Sequence, residues 1–139
     1  MLNRIISVVM ALILCLFAPT ALADSGDLQE RYSYIGLIDC TLEINNGEAE
    51  CIGRCKSLYS HTDTEVKLSL RRREEGSSTW TTIATWSGTQ NGKMTVNIYK
   101  TKSVSRGYYY QLQARCTIKD SNGKVLESSN KYSTVVKYI

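Results

Sequence analysis

Beyond residue 23 this sequence has no proline and no phenylalanine, and over its whole length it has a single histidine, His61. It also lacks any stretch with a helical hydrophobic period bracketed by start and stop signals. Each absence excludes something. Nucleophilic catalysis of the Ser-His-Asp or Cys-His kind needs a base held beside the nucleophile. His61 sits in "YSHTDTE", a polar segment between strands, and reads as an exposed loop residue. Glycoside hydrolysis needs two carboxyl groups facing across a cleft. Glu48 and Glu50 instead flank an Asn-Gly turn, and Glu74-Glu75 lie in a turn, so both pairs read as solvated edges. No glycine-rich phosphate loop is present. No catalytic residue and no cofactor is therefore expected, and a small secreted enzyme is the remote alternative. Without Phe, the core must draw its aromatics from nine Tyr and two Trp.

What is present begins with an export signal. Met1 to Arg4 carries one positive charge, Ile5 to Ala18 is an apolar run of 14 residues, and Ala21-Leu22-Ala23 precedes Asp24. Charged start, short apolar centre and A-x-A end are the parts of a secretory signal peptide. A membrane span needs about 20 apolar residues, and Pro19 interrupts this run. Residues 1–23 are thus expected to be a signal peptide, 24–33 a flexible lead-in, and 34–139 one domain. The chain is expected to be secreted and extracellular, with no membrane span after cleavage.

An exported chain with four further cysteines, Cys40, Cys51, Cys55 and Cys116, points to two disulfides. The rival zinc set, Cys51-x3-Cys55 with Cys116 and His61, conflicts with an oxidising compartment, and no metal site is expected. Charge is uneven. Asp24 to Glu65 has nine acids against three bases, whereas Val66 to Ile139 has thirteen bases against four acids. That asymmetry marks either an anionic partner or two oppositely charged faces.

Three Asn-Gly pairs, at 46–47, 91–92 and 122–123, sit between segments rich in β-branched and aromatic residues. Asn-Gly supplies the positive φ angles of two-residue hairpin turns, and the pattern is all-β. Ile38, Cys40, Leu42 and Ile44 alternate, as do Ala49 to Cys55, Val66 to Leu70, and Met94 to Ile98. Tyr108, Tyr110, Leu112, Ala114, Cys116 and Ile118 share one face of a half-buried strand, leaving Tyr109 outward. About seven antiparallel strands in some 100 residues is the size of a β-sandwich. Tyr108, after Arg106-Gly107, is the candidate tyrosine corner of such a fold.

"VKLSLRRREEGSSTWTTI" resembles the strand–turn–strand hairpin of fibronectin type III modules, with Trp80 in the place of their second-strand Trp. "VSRGYYYQLQARCTIKDSNGKVLESS" is similar to the closing hairpin of the same modules. The likeness covers roughly residues 60–136 and implies an immunoglobulin/fibronectin type III-like β-sandwich, but no activity. "RYSYIGLI", "EAECIGRC" and "TWSG" resemble small single-domain secreted proteins of Gram-positive bacteria, which implies no mechanism either. A four-residue loop Ile44–Gly47 would set Cys40 opposite Cys51, and sandwich geometry brings Cys116 level with Cys55. The expected disulfides are Cys40–Cys51 and Cys55–Cys116, with Cys40–Cys55 and Cys51–Cys116 as the rival.

Candidate binding residues follow from charge and exposure. Arg71, Arg72 and Arg73 end a strand, and alternation sends Arg71 and Arg73 to the face opposite Arg72. Clustered cations draw polyanions by counterion release, while charges at a sheet edge protect against aggregation. Trp80 and Trp86 on one face of an uninterrupted strand could line a shared platform, but a core without Phe needs at least one indole inside. The resemblance places Trp80 in the packed hairpin and leaves Trp86 as the exposed candidate. Arg71, Arg73, Trp86 and Tyr109 are therefore the candidate ligand-binding residues. The expected role is an extracellular binding or interaction module, or alternatively a carbohydrate- or cell-wall-polymer-binding module. The partner would be a protein or surface polymer, including an anionic polysaccharide. No nucleic-acid partner is expected, and edge strands leave self-association open.

Overall fold

The structure, a computed structural model, describes residues 32–139. The expected signal peptide and nearly all of the lead-in lie outside the described residues. Eight strands follow in order: β1 (Ile35–Asn45), β2 (Glu48–Ser57), β3 (Asp63–Glu74), β4 (Thr81–Asn91), β5 (Val96–Ser103), β6 (Tyr108–Lys119), β7 (Val125–Tyr132) and β8 (Val136–Tyr138). They build two antiparallel sheets, β1-β2-β5 and β4-β3-β6-β7, with β8 also pairing β6. There is no helix among the described residues, and none long and apolar enough to cross a membrane.

Alternating side chains from both sheets meet in one core. Cys40 and Leu42 of β1, Ala49, Cys51 and Cys55 of β2, and Val96 and Ile98 of β5 face Val66, Leu68 and Leu70 of β3 and the Tyr110–Ile118 row of β6. The row expected for β6 is realised from Tyr110 to Ile118, every second residue being buried. Gly53 lets the sheets approach, because a Cβ there would stand 2.4 Å from Leu68 Cδ2. Met94 departs from the expected row: it precedes β5 and is exposed.

An eighth strand arises because the chain kinks at Ser133. There the side chain supplements the ladder: Leu112 N–H donates to Ser133 Oγ at 2.9 Å, and Ser133 N–H donates to Leu112 O at 2.9 Å. The chain then resumes pairing with β6 as β8.

The first Asn-Gly pair forms the two-residue turn its chemistry predicts, with φ of 51° at Asn46 and 79° at Gly47. Asn45 therefore pairs with Glu48, and the β1–β2 register differs from the one a four-residue loop would give. Cys40 faces Gly53 and Cys51 faces Leu42, so these two thiols are diagonal neighbours rather than direct partners. Among the described residues there is one disulfide, Cys55–Cys116, which ties β2 to β6 across the core, and Cys40 and Cys51 are buried free thiols. Burial pushes the Cys40 thiol up to about 12 and the Cys51 thiol up to about 11.

The other two Asn-Gly pairs are not two-residue hairpins. Gly92 carries the chain from β4 in one sheet towards β5 in the other. Asn122-Gly123 lies in a loop organised by Asp120, whose Oδ1 accepts from Asn122 N–H and Lys124 N–H, both at 2.9 Å.

The tyrosine that turns back to the preceding segment is Tyr110, not Tyr108. Its hydroxyl donates to Ser105 O at 2.6 Å and accepts from Ser105 N–H at 3.1 Å. Tyr108 opens β6 at the end of the sheet, half-buried, while Tyr110 lies two residues further into the core, where its ring is fully enclosed. At the opposite end Glu127 of β7 anchors the start of β1. Its carboxylate accepts from the N–H groups of Ser33 (3.1 Å), Tyr34 (2.6 Å) and Ile35 (2.9 Å).

Candidate functional site

The outer face of the larger sheet is built by the register of β3 against β6. Leu70 and Leu112 pair inward, so Arg71 pairs with Gln111 and Arg73 with Tyr109, and these four side chains project to the other side. On the neighbouring strands Tyr132 lies opposite Gln113, and Lys137 lies opposite Tyr109. β3 and β6 are interior strands of this sheet, so Arg71 and Arg73 are not edge charges and edge protection does not account for them.

Trp80 joins this face through a bulge. Between Leu70 and Arg71 the β3–β4 register slips by one residue, passing over Ile83, and the alternation along β4 changes side. Trp86 and Ala84 stay against the core, whereas Trp80, just before β4, lies with the arginines. The two indoles therefore share no platform, and Trp86, expected to be the exposed one, is packed inward.

The result is a row in which rings and cations alternate. Arg71 lies 4.8 Å from the Tyr132 ring centroid and 4.8 Å from that of Trp80. Arg73 lies 5.2 Å from Trp80 and 4.3 Å from Tyr109, and Lys137 Nζ lies 5.4 Å from Tyr109. All are within the range of cation–π attraction. Hydrogen bonds fix the arginine planes. Arg71 donates through Nε and Nη2 to Gln111 Oε1, and Gln111 in turn donates to Ser133 O at 3.1 Å. Arg73 Nη1 donates to Ser77 O at 3.1 Å. Lys137 is the exception in charge balance: it pairs with Glu75 at 3.4 Å. Its hydrogen bond with Tyr109, then that with Glu75, raises its pKa. Arg71 and Arg73 have no carboxylate partner among the described residues.

Beside this row the β3–β4 hairpin frames a shallow hollow of about 230 Å³, lined by Arg72, Arg73, Ser77, Thr79 and Tyr108 among others. Arg72 projects to the opposite side from its neighbours and stacks 4.2 Å from the Tyr108 ring centroid. Lys100 and Lys102 lie on β5 of the other sheet, and Arg106 stacks on Tyr138 at 4.9 Å, so the basic residues do not form one patch.

The uneven charge along the chain becomes two outer faces. The smaller sheet presents Glu43 directly opposite Glu50, with Glu48 nearby and Asp39 paired to Arg54 at 2.6 Å. That guanidinium hydrogen bond holds the Asp39 carboxyl below its ordinary value. The larger sheet presents Lys67 opposite Arg115 together with the arginine row. His61 stands in the β2–β3 loop with Tyr59 and Tyr34, exposed, and no cluster of metal-binding side chains exists among the described residues.

Of the residues expected to bind, Arg71, Arg73 and Tyr109 come together and Trp86 does not. Trp80, Gln111, Tyr132 and Lys137 complete the row and were not anticipated. Outward alternation alone would have found Gln111. Trp80 required the bulge, Lys137 required the kink at Ser133, and Tyr132 required the β6–β7 register, which shifts between Ile118 and Lys119.

No protein-family model and no curated protein matches this chain. Among solved structures it is similar to a family 76 glycoside hydrolase from a bovine Bacteroides thetaiotaomicron strain, at 16% identity and a TM-score of 0.38. That likeness covers 73% of this chain and 20% of the other, so the chain spans about a fifth of its length. At this TM-score it carries no argument about fold or activity.

Proposed function

We propose that this protein is an exported, non-catalytic binding module of the fibronectin type III/immunoglobulin-like sandwich type. We place its ligand, an anionic polymer such as an acidic polysaccharide of a cell surface, on the outer face of the larger sheet. The fold reading is supported by the resemblance of both hairpins, by a β4 that joins the sheet of β3 and β6, and by the Tyr110 corner. The buried Cys55–Cys116 bridge is compatible with an oxidising compartment.

The observation that carries the ligand class is the pair of arginines without carboxylate partners among the described residues, held between aromatic rings. A guanidinium stacked on a ring and hydrogen-bonded at one edge loses little freedom when its remaining N–H groups meet an anion. A solvent-averaged lysine cluster lacks that preorganisation. Stacking of a neutral sugar on Trp80 is less favoured, because arginines already occupy its ring.

The test is retention on immobilised uronic-acid polysaccharide and on a neutral glycan across a salt gradient, for the native chain and Arg71→Gln/Arg73→Gln. The native chain should be held only on the acidic matrix and released by salt, and the variant should elute earlier while unfolding at a similar temperature. Equal retention on both matrices, or no effect of the double substitution, would sink the reading.

A further inference from the structure

Four strand edges bound the two sheets, and three of them are defended. β1 carries Asp39 and Glu43 and a bulge between Ile35 and Leu37. β5 carries Lys100 and Lys102 opposite Cys51 and Ala49, whose side chains point inward, so these lysines sit on the core side of an edge strand. Inward charges of this kind block strand addition. The β7 edge is tied to residues 33–35 through Glu127, and β8 has only three residues, one of them Lys137.

β4 carries the bulge at Ile83, but it differs from all of these in charge. Thr81–Asn91 contains no charged residue and no proline, and the uncharged stretch runs from Gly76 to Gly92. Among the described residues β4 pairs only with β3, so its other side presents backbone N–H and C=O groups that no described strand pairs. A Cβ at Gly88 would touch Ile98 and Val96 of the other sheet at 3.3 Å, so that part of the strand is backed by β5. The open part is Thr81–Ser87, whose outward side chains include Thr85 and Ser87, both exposed.

We propose that this edge is an interface between two copies of the chain, which pair β4 against β4 antiparallel about a two-fold axis and join their larger sheets into one of ten strands. Charge selects the occupant. A two-fold pairing sets each strand against its own reverse. On β5 this would bring lysines together, and on β1 it would bring acids together. On β4 it brings Thr and Ser against Thr and Ser, a favourable cross-strand pairing. The contact is independent of the arginine row. It leaves that row exposed in each copy and places both rows on one continuous face, an arrangement that would favour avid binding to a repeating polymer.

The experiment is sedimentation of the purified oxidised protein from micromolar to millimolar concentration, at low and high salt. It compares the native chain with Thr85→Lys/Ser87→Lys on β4 and with the control Thr101→Lys/Ser103→Lys on β5. The native chain and the control should reach twice the monomer mass in either salt. The β4 variant should dissociate at least about tenfold more readily, corresponding to roughly 1.4 kcal/mol. Hydrogen exchange on the native chain supplies a second reading that does not depend on the variant's folding: β4 amides should exchange more slowly as concentration rises. A native chain that stays monomeric overturns the proposal, as does a dimer indifferent to the β4 lysines. A dimer that salt dissolves also overturns it, and places the contact on the two oppositely charged outer faces.

Discussion

Tyr108 and Tyr110 have the same side chain, the same strand and the same face, and only their depth separates them. Tyr110 is enclosed and bonds both the carbonyl and the N–H of Ser105, whereas Tyr108 lies under Arg72 at the sheet's end. Removing a buried hydroxyl that satisfies backbone groups costs about 1–3 kcal/mol. Tyr110→Phe should lose that much in urea unfolding, and Tyr108→Phe should lose much less; the reverse order would contradict the assignment. The alternation of these residues was legible in the sequence, but which hydroxyl reaches Ser105 depends on where the strand enters the core. Cys40 and Cys51 supply a second prediction at this scale. Their thiols are raised to about 12 and about 11 by burial, while in the unfolded chain they return to the ordinary value near 9. Below pH 9 both states are protonated and the thiols leave stability unchanged. Between pH 9 and about 11–12 the unfolded state releases protons that the native state keeps, so stability falls as pH rises, by up to about 1.4 kcal/mol per pH unit for each thiol. Unfolding free energy measured from pH 8 to 11 should show this decline, and Cys40→Ala/Cys51→Ala should flatten it. A thiol reagent at pH 8 should find both groups only after denaturation.

At the scale of elements, periodicity located the strands and turn chemistry located the first hairpin, but register came from detail. One residue pair decided it: with Asn45 against Glu48 the loop has two residues instead of four, and Cys40 moves from Cys51 to Gly53. The bulge at Leu70/Arg71 and the kink at Ser133 left no distinct sequence signal, since neither falls on a glycine or proline. The first brings Trp80 and the second Lys137 to the arginines, while Tyr132 arrives through the β6–β7 register. β1 is held at its start by the carboxylate of Glu127, which accepts three successive N–H groups. Glu127→Ala should destabilise the fold by about 2 kcal/mol, as expected for loss of charge-assisted bonds. It should also speed hydrogen exchange at Tyr34 and Ile35 before exchange at Leu68. Unchanged protection at those two amides would show that the anchor contributes nothing.

For the whole molecule, sequence asymmetry in charge is converted into two outer faces because β1 and β2 share one sheet while β3 and β6 are central in the other. That much was open in the sequence as one of two alternatives. The ordered row of rings and cations was not, because it draws on four strands and on the segment before β4. The claim that this row is the binding surface is tested most directly by the salt dependence of affinity for a soluble uronic-acid polysaccharide. The native chain and Arg71→Gln/Arg73→Gln would be titrated side by side. Each cation that neutralises a polymer charge adds close to one unit to the slope of log affinity against log salt. The account predicts a steep slope for the native chain and one lower by between about one and two for the variant, with affinity reduced at every salt concentration. Identical slopes and affinities for the two proteins would contradict it.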